Sequence, residues 1–466
     1  MLAMGSRRTE RHRCRECGAE YPKWAGQCSA CRHWNTLEPA TESDGTALRD
    51  TASGPVQLDD PRAAPAARPQ PTSLDELDRV LDGGLVPGSV TLLGGAPGIG
   101  KSTLMLQLLA AWDGPTLYVA AEESAPQIRD RAERLDIDRS SIWVHATTSL
   151  TSAIEAIEGR AAGRMTARPS VVVVDSIQTV ADPRIGGVAG GVTQVRACAQ
   201  QLVDVAKASN VAIVLVGHVT KDGNLAGPNT LEHVVDTVLH FEGDHHHSLR
   251  QLRASKHRFG STNELGVFEM TPRGLEPVAD PSAVLLADRR HGIPGSVIVP
   301  TVEGRRAIVV EVQALTNPTP HGASARRSSQ GLDGRRIAMV LAVLERRARV
   351  GLGDLDVYAS AAGGLAITEP ACDLGIAVAV ASARLDAPVS SRVAVCGEVG
   401  LGGEIRQVGA LERRIAEARR LECTRIIVPS TALGPGSGDD VVGVETIGQA
   451  LAAAGVTDDV HALRAV

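Results

Sequence analysis

The sequence predicts an α/β protein in three unequal parts. From about residue 71, short apolar runs alternate with amphipathic segments; a glycine-rich loop follows one of those runs, and two close cysteine pairs precede it. At 466 residues the chain is too long for one ordinary domain, and about 150 residues per domain suggests three. Hydrophobic residues make up 43% and charged residues 22%, the balance of a globular chain.

Several function classes are excluded or narrowed by these numbers. No apolar run reaches the roughly 18 residues of a membrane span. The basic N-terminus MLAMGSRRTERHRC lacks the apolar stretch of a secretory signal, so a cytoplasmic location is expected. A net charge of −6 argues against coating nucleic acid by global charge and leaves room only for a local basic surface. Aromatics at 2% disfavour a surface built mainly on stacked bases.

Residues 1–38 read as a cysteine module. Cys14-x2-Cys17 and Cys28-x2-Cys31, ten residues apart, offer four thiolates to one tetrahedral Zn²⁺. Four cysteines close the coordination shell, so this zinc is structural, with Trp24 and Trp34 expected in the module's small core. The other cysteines (Cys198, Cys372, Cys396, Cys423) sit singly in apolar stretches and read as small buried hydrophobes. Residues 39–70 are Pro-, Ala-, Asp-, Thr- and Arg-rich and read as a flexible linker.

Residues 71–275 carry the α/β alternation. A helix is expected to open at Ser73, with Glu76 completing a capping box. Strands are expected at 90–93, 116–120, 171–174, 211–216, 235–241 and 249–254; the Val run at 171–174 suits a strand buried on both faces. A second α/β segment, 281–460, predicts strands near 296–300, 307–312, 393–396 and 425–428. Its helices are expected near 332–348, 370–384 and 410–421. Residues 326–349 hold seven Arg against Asp333 and Glu345, read first as a solvated helix face and second as a surface toward nucleic acid.

The chemistry centres on Gly95-Ala96-Pro97-Gly98-Ile99-Gly100-Lys101-Ser102, which fits G-x-x-x-x-G-K-[ST] between an expected strand and an amphipathic helix, Ser102 to Trp112. Backbone amides of such a loop surround the phosphates of ATP, and Thr103 extends the ATP-binding set. Lys101 is expected at the β/γ-phosphates, and Ser102 at Mg²⁺. Asp175 ends the Val run where a second Mg²⁺ carboxylate belongs. Glu122 follows the strand 116–120, expected to lie beside the P-loop strand, and is the favoured residue to orient the attacking water; Glu123 is the adjacent alternative.

Taken in order, these features resemble the RadA (Sms) family of bacterial DNA-repair and recombination proteins. The resemblance rests on the four-Cys module, GGAPGIGKST, YVAAEES at 118–124, VVVVDSIQT at 171–179, GHVTKDG at 217–223 and KHRFG at 256–260. A C-terminal region similar to the Lon protease domain completes it, so the likeness covers all but the linker. It implies a RecA-like ATPase core in a homohexameric ring, a DNA-dependent motor for branch migration on single-stranded and branched DNA, and RecA as a partner. By analogy with ring motors, Lys256 and Arg258 would reach the neighbouring subunit's ATP; His257 stands where the family has Asn. His218 and Lys221 fall where such folds carry a sensor and the start of a DNA-facing loop. The Gly-rich stretch 185–192, with Arg184 and Arg196, is either a channel loop or a mobile surface loop.

Two tempting sites are declined. His245–His247 reads as a hairpin loop rather than a metal cluster. The Ser–Lys dyad of a Lon protease is missing: Ala371 stands at the nucleophile's position and Glu412 at the lysine's. Cys372, one residue on, has no evident base.

Overall fold

The computed structural model describes residues 12–15, 20–21, 23–29, 32–39, 67–138, 140–160, 165, 167–218, 230–243, 248–321, 324–364, 367–434 and 438–457. The N-terminal strands β1 (His12–Cys14), β2 (Glu20–Tyr21) and β3 (Leu37–Pro39) form a small antiparallel sheet ordered β2-β1-β3. Its core is Cys14, Cys28 and Leu37, with Tyr21 packed on it. Trp24 and Trp34, expected inside, are 57% and 69% exposed. Two buried thiols and a leucine already fill so small a centre.

The second unit begins with α1 (Asp75–Val80) and β4 (Val90–Gly95), then α2 (Lys101–Ala111), β5 (Thr116–Ala120), α3 (Ala125–Arg134) and β6 (Ile142–Ala146). There follow α4 (Leu150–Ile157), β7 (Val171–Asp175), α5 (Val192–Ser209), β8 (Ala212–His218) and α6 (Thr230–Val234). Strands β9 (Thr237–Glu242), β10 (Leu249–His257), β11 (Leu265–Thr271) and β12 (Gly274–Pro277) complete it. One nine-stranded sheet runs β12-β11-β10-β9-β4-β8-β7-β5-β6. Strands β9 through β6 in that order are parallel, and β10, β11 and β12 add antiparallel.

Alternation along the Val run explains this core. Val171 and Val173 pack on the face covered by α2 and α3, while Val172 and Val174 pack on the face covered by α4 and α5. Helix α2 is apolar nearly all round: Leu104, Met105, Leu106, Leu108 and Leu109 are all buried. The amphipathic helix expected there gives way to a core helix, because the β11–β12 hairpin covers its outer side. Gln107 accepts from Leu275 N at 2.9 Å and donates to Leu275 O at 3.1 Å.

Three local expectations are corrected. Helix α1 is capped at Leu74 without a side-chain bond. Ser73 has φ +63°, and Glu76 turns inward to accept from Val267 N at 2.8 Å, so the two form no capping box. Strand β5 does not lie beside the P-loop strand, since β8 and β7 come between them.

The third unit comprises α7 (Pro281–Leu286), β13 (Ser296–Glu303), β14 (Arg306–Pro318), β15 (Arg327–Gln330), α8 (Gly334–Arg347), β16 (Leu355–Ala361) and α9 (Asp373–Leu385). It continues through β17 (Val393–Val395), the short hairpin β18 (Glu398–Val399) and β19 (Ile405–Arg406), α10 (Leu411–Arg420), β20 (Arg425–Pro429), β21 (Val441–Val444) and α11 (Ile447–Ala453). Its mixed seven-stranded sheet runs β15-β16-β14-β13-β17-β20-β21. The Arg-rich stretch is not one helix face. Arg326 and Arg327 lie at the sheet edge, and Arg336 on α8 turns in to the buried Asp373, with Nε donating at 2.8 Å. No helix among the described residues is long and apolar enough to cross a membrane.

Candidate nucleotide site

The P-loop emerges where β4 ends and α2 begins. Its backbone needs glycine at two positions: Gly98 has φ +76° and Gly100 has φ +116°. A Cβ on Gly95 would sit 2.6 Å from Phe241 O, a backbone atom that cannot swing aside, so this position too is packed too tightly for a side chain. Lys101 is 5% exposed and donates to Gly95 O at 2.8 Å and Ala96 O at 3.0 Å. Burial lowers its pKa from the ordinary lysine value, while the charges of Asp175 and then Glu122 pull it back up. Ser102 and Thr103, at the start of α2, are partly exposed.

Asp175, at the end of β7, is 7% exposed and accepts a 2.5 Å hydrogen bond from the Tyr118 hydroxyl. Glu122, just past β5, accepts from Ser176 Oγ. The adjacent Glu123 is engaged elsewhere, in a bidentate pair with Arg131 on α3 at 2.6 and 2.7 Å. Lys101, Asp175 and Glu122 thus converge at the carboxyl edge of the parallel strands. The residues fit Mg-ATP: a narrow cradle of amides, one buried cation, and two carboxylates held by hydroxyls.

His218 ends β8, and its backbone is in register with Gly95, the first P-loop residue. Lys221 lies outside the described residues, as do His245, His246 and His247. Lys256 and Arg258 are not brought to this edge. A β-bulge between Ala254 and Lys256 re-aims the end of β10. Lys256 Nζ then donates to Glu232 O and Val235 O at 2.6 and 2.7 Å, capping α6. Arg258 pairs with Asp236 at 3.3 Å, and the same carboxylate accepts from Val90 N at 3.0 Å. Val90 is the far end of β4 from Gly95, about 17 Å away at strand rise.

Residues given no role of their own in the sequence reading also shape the site. Tyr118, Ser176 and Arg131 hold the carboxylates, and Arg250 on β10, 5% exposed, donates to the P-loop carbonyl of Ile99 at 3.2 Å. Tyr118 reads in sequence as one more apolar strand residue, and Arg250 as a polar position on a strand. Only the fold shows what they touch.

In the N-terminal unit, Cys14 and Cys28 share one core, and Cys17 and Cys31 lie outside the described residues. The Cys14 thiol lies 3.2 Å from Thr36 Oγ1, the Cys28 thiol 3.3 Å from the Tyr21 hydroxyl, and His12 Nδ1 is buried without a partner among the described residues. Soft, converging thiols suit a tetrahedral Zn²⁺.

Neither position read against a Ser–Lys dyad carries a nucleophile or an amine base. Ala371 is 2% exposed, and Glu412 is exposed on α10. Burial pushes the Cys372 thiol up from its ordinary range, which disfavours the thiolate a nucleophile needs. The segment that would carry a nucleophile is instead tied to α10 by a partly buried pair, Arg414 to Glu369, at 2.6 and 2.8 Å.

Comparison with known proteins agrees with this order of units. Residues 12–39 match the rubredoxin metal binding domain, 60–224 the AAA domain, and 361–432 the family described as subunit ChlI of Mg-chelatase. A metal-ribbon unit, an AAA/RecA-like P-loop domain and a ChlI/Lon-like domain therefore follow one another. "DNA repair protein RadA" of Streptococcus pyogenes serotype M6 is 46% identical over 451 residues, covering 94% of this chain and 97% of that protein. The protein of the same name from Listeria monocytogenes is 45% identical over 460 residues, covering 96% and 98%. That of Bacillus subtilis strain 168 is 44% identical over 451 residues, covering 94% and 97%.

Proposed function

This chain belongs to the RadA family, and on that footing we propose that it is a DNA-dependent ATPase acting in DNA repair as a ring-shaped motor on recombination intermediates. The observation that carries the ATPase reading is the convergence of Asp175 and Glu122 on the buried Lys101. The P-loop amides and Lys101 hold the phosphates of ATP. Ser102 and Asp175 would hold Mg²⁺, which when bound would neutralise phosphate charge. Glu122, oriented by Ser176, positions and deprotonates the attacking water.

The motor reading draws on the edge of the sheet opposite the P-loop. Lys256 and Arg258 sit too far from their own P-loop to serve it, so a neighbouring subunit's ATP is the site they would complete, in a homohexamer. His218, in register with Gly95, would pass the state of the phosphates to Lys221 and a DNA-facing loop. Single-stranded and branched DNA are the proposed substrates, RecA a proposed partner, and the ribbon a structural Zn²⁺ unit held by Cys14, Cys17, Cys28 and Cys31.

The test is Mg-ATP hydrolysis with and without single-stranded DNA, with Lys101→Ala as control. DNA is expected to raise a Lys101-dependent rate several-fold. A Lys101-dependent rate indifferent to DNA would remove the motor reading and leave the ATPase. A Lys101→Ala protein as active as its parent would remove both.

A further inference from the structure

We propose that Tyr118 is a positioning residue for Asp175, fixing which carboxylate oxygen faces the Mg²⁺ of the bound nucleotide. The inference rests on the ATPase reading above and adds a residue to that site.

The geometry comes from the strand register. Strand β5 runs beside β7 with Tyr118 opposite Val173 and Ala120 opposite Asp175. Side chains two apart share a face, so Tyr118 and Asp175 emerge on the same side of the sheet, the side covered by α2. Tyr118 starts two residues behind and reaches forward along the strand, and its length brings the hydroxyl to Oδ2 at 2.5 Å. An O–H···O⁻ bond this short is charge-assisted.

Burial makes the bond necessary as well as possible. Tyr118 is 1% exposed among Leu104, Ile128 and Ala132, none of which offers a side-chain polar atom. A phenol hydroxyl in such surroundings must find an acceptor or lose its hydration uncompensated. Asp175 accepts from no other side chain among the described residues, so Oδ2 is committed to Tyr118 and Oδ1 is the oxygen that would be left for a metal. Arg131, clamped by Glu123, adds a positive charge that bears on both partners. Tyr118 therefore does for Asp175 what Ser176 does for Glu122.

The experiment titrates Mg²⁺ into the full chain with a fluorescent ATP analogue, for the parent, Tyr118→Phe and Lys101→Ala. Phenylalanine keeps the ring and removes only the hydroxyl. Tyr118→Phe is expected to bind the analogue as the parent does without Mg²⁺, and to need about tenfold more Mg²⁺ for half-saturation. Its hydrolysis rate should fall at limiting Mg²⁺ and recover at saturating Mg²⁺, which a general loosening of the core would not produce. An unchanged Mg²⁺ midpoint overturns the inference. If Tyr118→Phe melts early, 3-fluorotyrosine at this position keeps the ring and alters only hydrogen-bond strength; an unmoved midpoint there overturns it equally. A Lys101→Ala protein that binds and hydrolyses like the parent sinks the nucleotide reading itself. A Lys101-dependent site blind to Tyr118→Phe sinks only the role of Tyr118.

Discussion

Glu76 and Arg306, 230 residues apart in the chain, close a buried ion pair between helix α1 of the P-loop domain and strand β14 of the C-terminal domain. The same carboxylate takes Val267 N, and the same guanidinium donates to Val278 O at 3.1 Å and Ala279 O at 2.9 Å. Arg253 and Glu303 form a second tie, and Arg305 N donates to Asn263 O at 2.6 Å. The two large units therefore share a polar seam.

Removing one partner of that pair leaves the other charge buried. Arg306→Ala is expected to cost about 3–5 kcal/mol in denaturant unfolding. Removing the exposed Arg160 from its pair with Glu158 should cost at most about 1 kcal/mol. Equal effects from both changes would show that the seam carries no special weight.

Glu122 and Glu123 are adjacent but tied to different partners, which separates their expected phenotypes. Glu122→Gln should lower hydrolysis by about a hundredfold or more while nucleotide binding persists. Glu123→Gln should chiefly weaken the pair with Arg131. The reverse pattern in single-turnover hydrolysis would exchange their roles.

If Lys256 and Arg258 serve a neighbour's ATP, two inactive proteins should complement each other. Lys101→Ala and Arg258→Ala, each inactive alone, are expected to recover part of the rate when mixed and reassembled. Some interfaces then pair an intact Lys101 with an intact Arg258. No recovery across mixing ratios, with mixed assembly verified, would place Arg258 outside the shared site.

His257 predicts a pH dependence of stability. Its Nε2 donates to Leu81 O at 3.2 Å, and its Nδ1 accepts from Thr237 Oγ1 at 2.9 Å, so both nitrogens are used by the neutral ring. Burial lowers its pKa below the ordinary 6.5, and the Leu81 carbonyl and Asp82 only partly oppose this. As pH falls through about 6.5, the unfolded chain takes up a proton that the folded ring refuses. Stability contributed here is present above that pH and lost below it. His257→Asn should flatten the acid limb of the unfolding curve; an unchanged limb would assign it to other groups.

Metal removal should act on the N-terminal unit alone. Protonation competes with metal for the thiolates of Cys14 and Cys28, so chelation is expected to become easier as pH falls. Trp24 Nε1 donates to Leu37 O at 3.0 Å, so loss of the unit should change tryptophan emission, as should Cys28→Ser. The melting of the P-loop domain should hold. A chelator that leaves the emission untouched would argue against a structural metal.

Much of the architecture was legible because local pattern encodes it. The VVVV run announced β7, and the spacing of glycines around Lys101 announced the loop that joins β4 to α2. The edge strands β6 and β15, and β16 beside β15, are not announced by local pattern. Their residues, such as the exposed Trp143 and Val144 of β6, mix exposure with apolar character and carry no clean period. The capping box expected at Ser73 does not form because Glu76 is taken by Val267 N and Arg306. A carboxylate's preference between a cap and a distant guanidinium is not a local property.

By itself, the sequence determined where the phosphate loop lies, which thiols come in pairs, which runs become buried strands, and that Ala371 and Glu412 stand where the Lon dyad has Ser and Lys. Each is a property of residues close in the chain, where backbone conformation and side-chain chemistry suffice. Tertiary structure alone decided that two strands separate β5 from the P-loop strand, that Tyr118 meets Asp175, that Arg250 reaches Ile99, and that Lys256 and Arg258 stand at the opposite edge from Gly95. Those are contacts between residues tens to hundreds apart. They follow from strand order and register, which are set by how the whole chain buries its apolar faces at once.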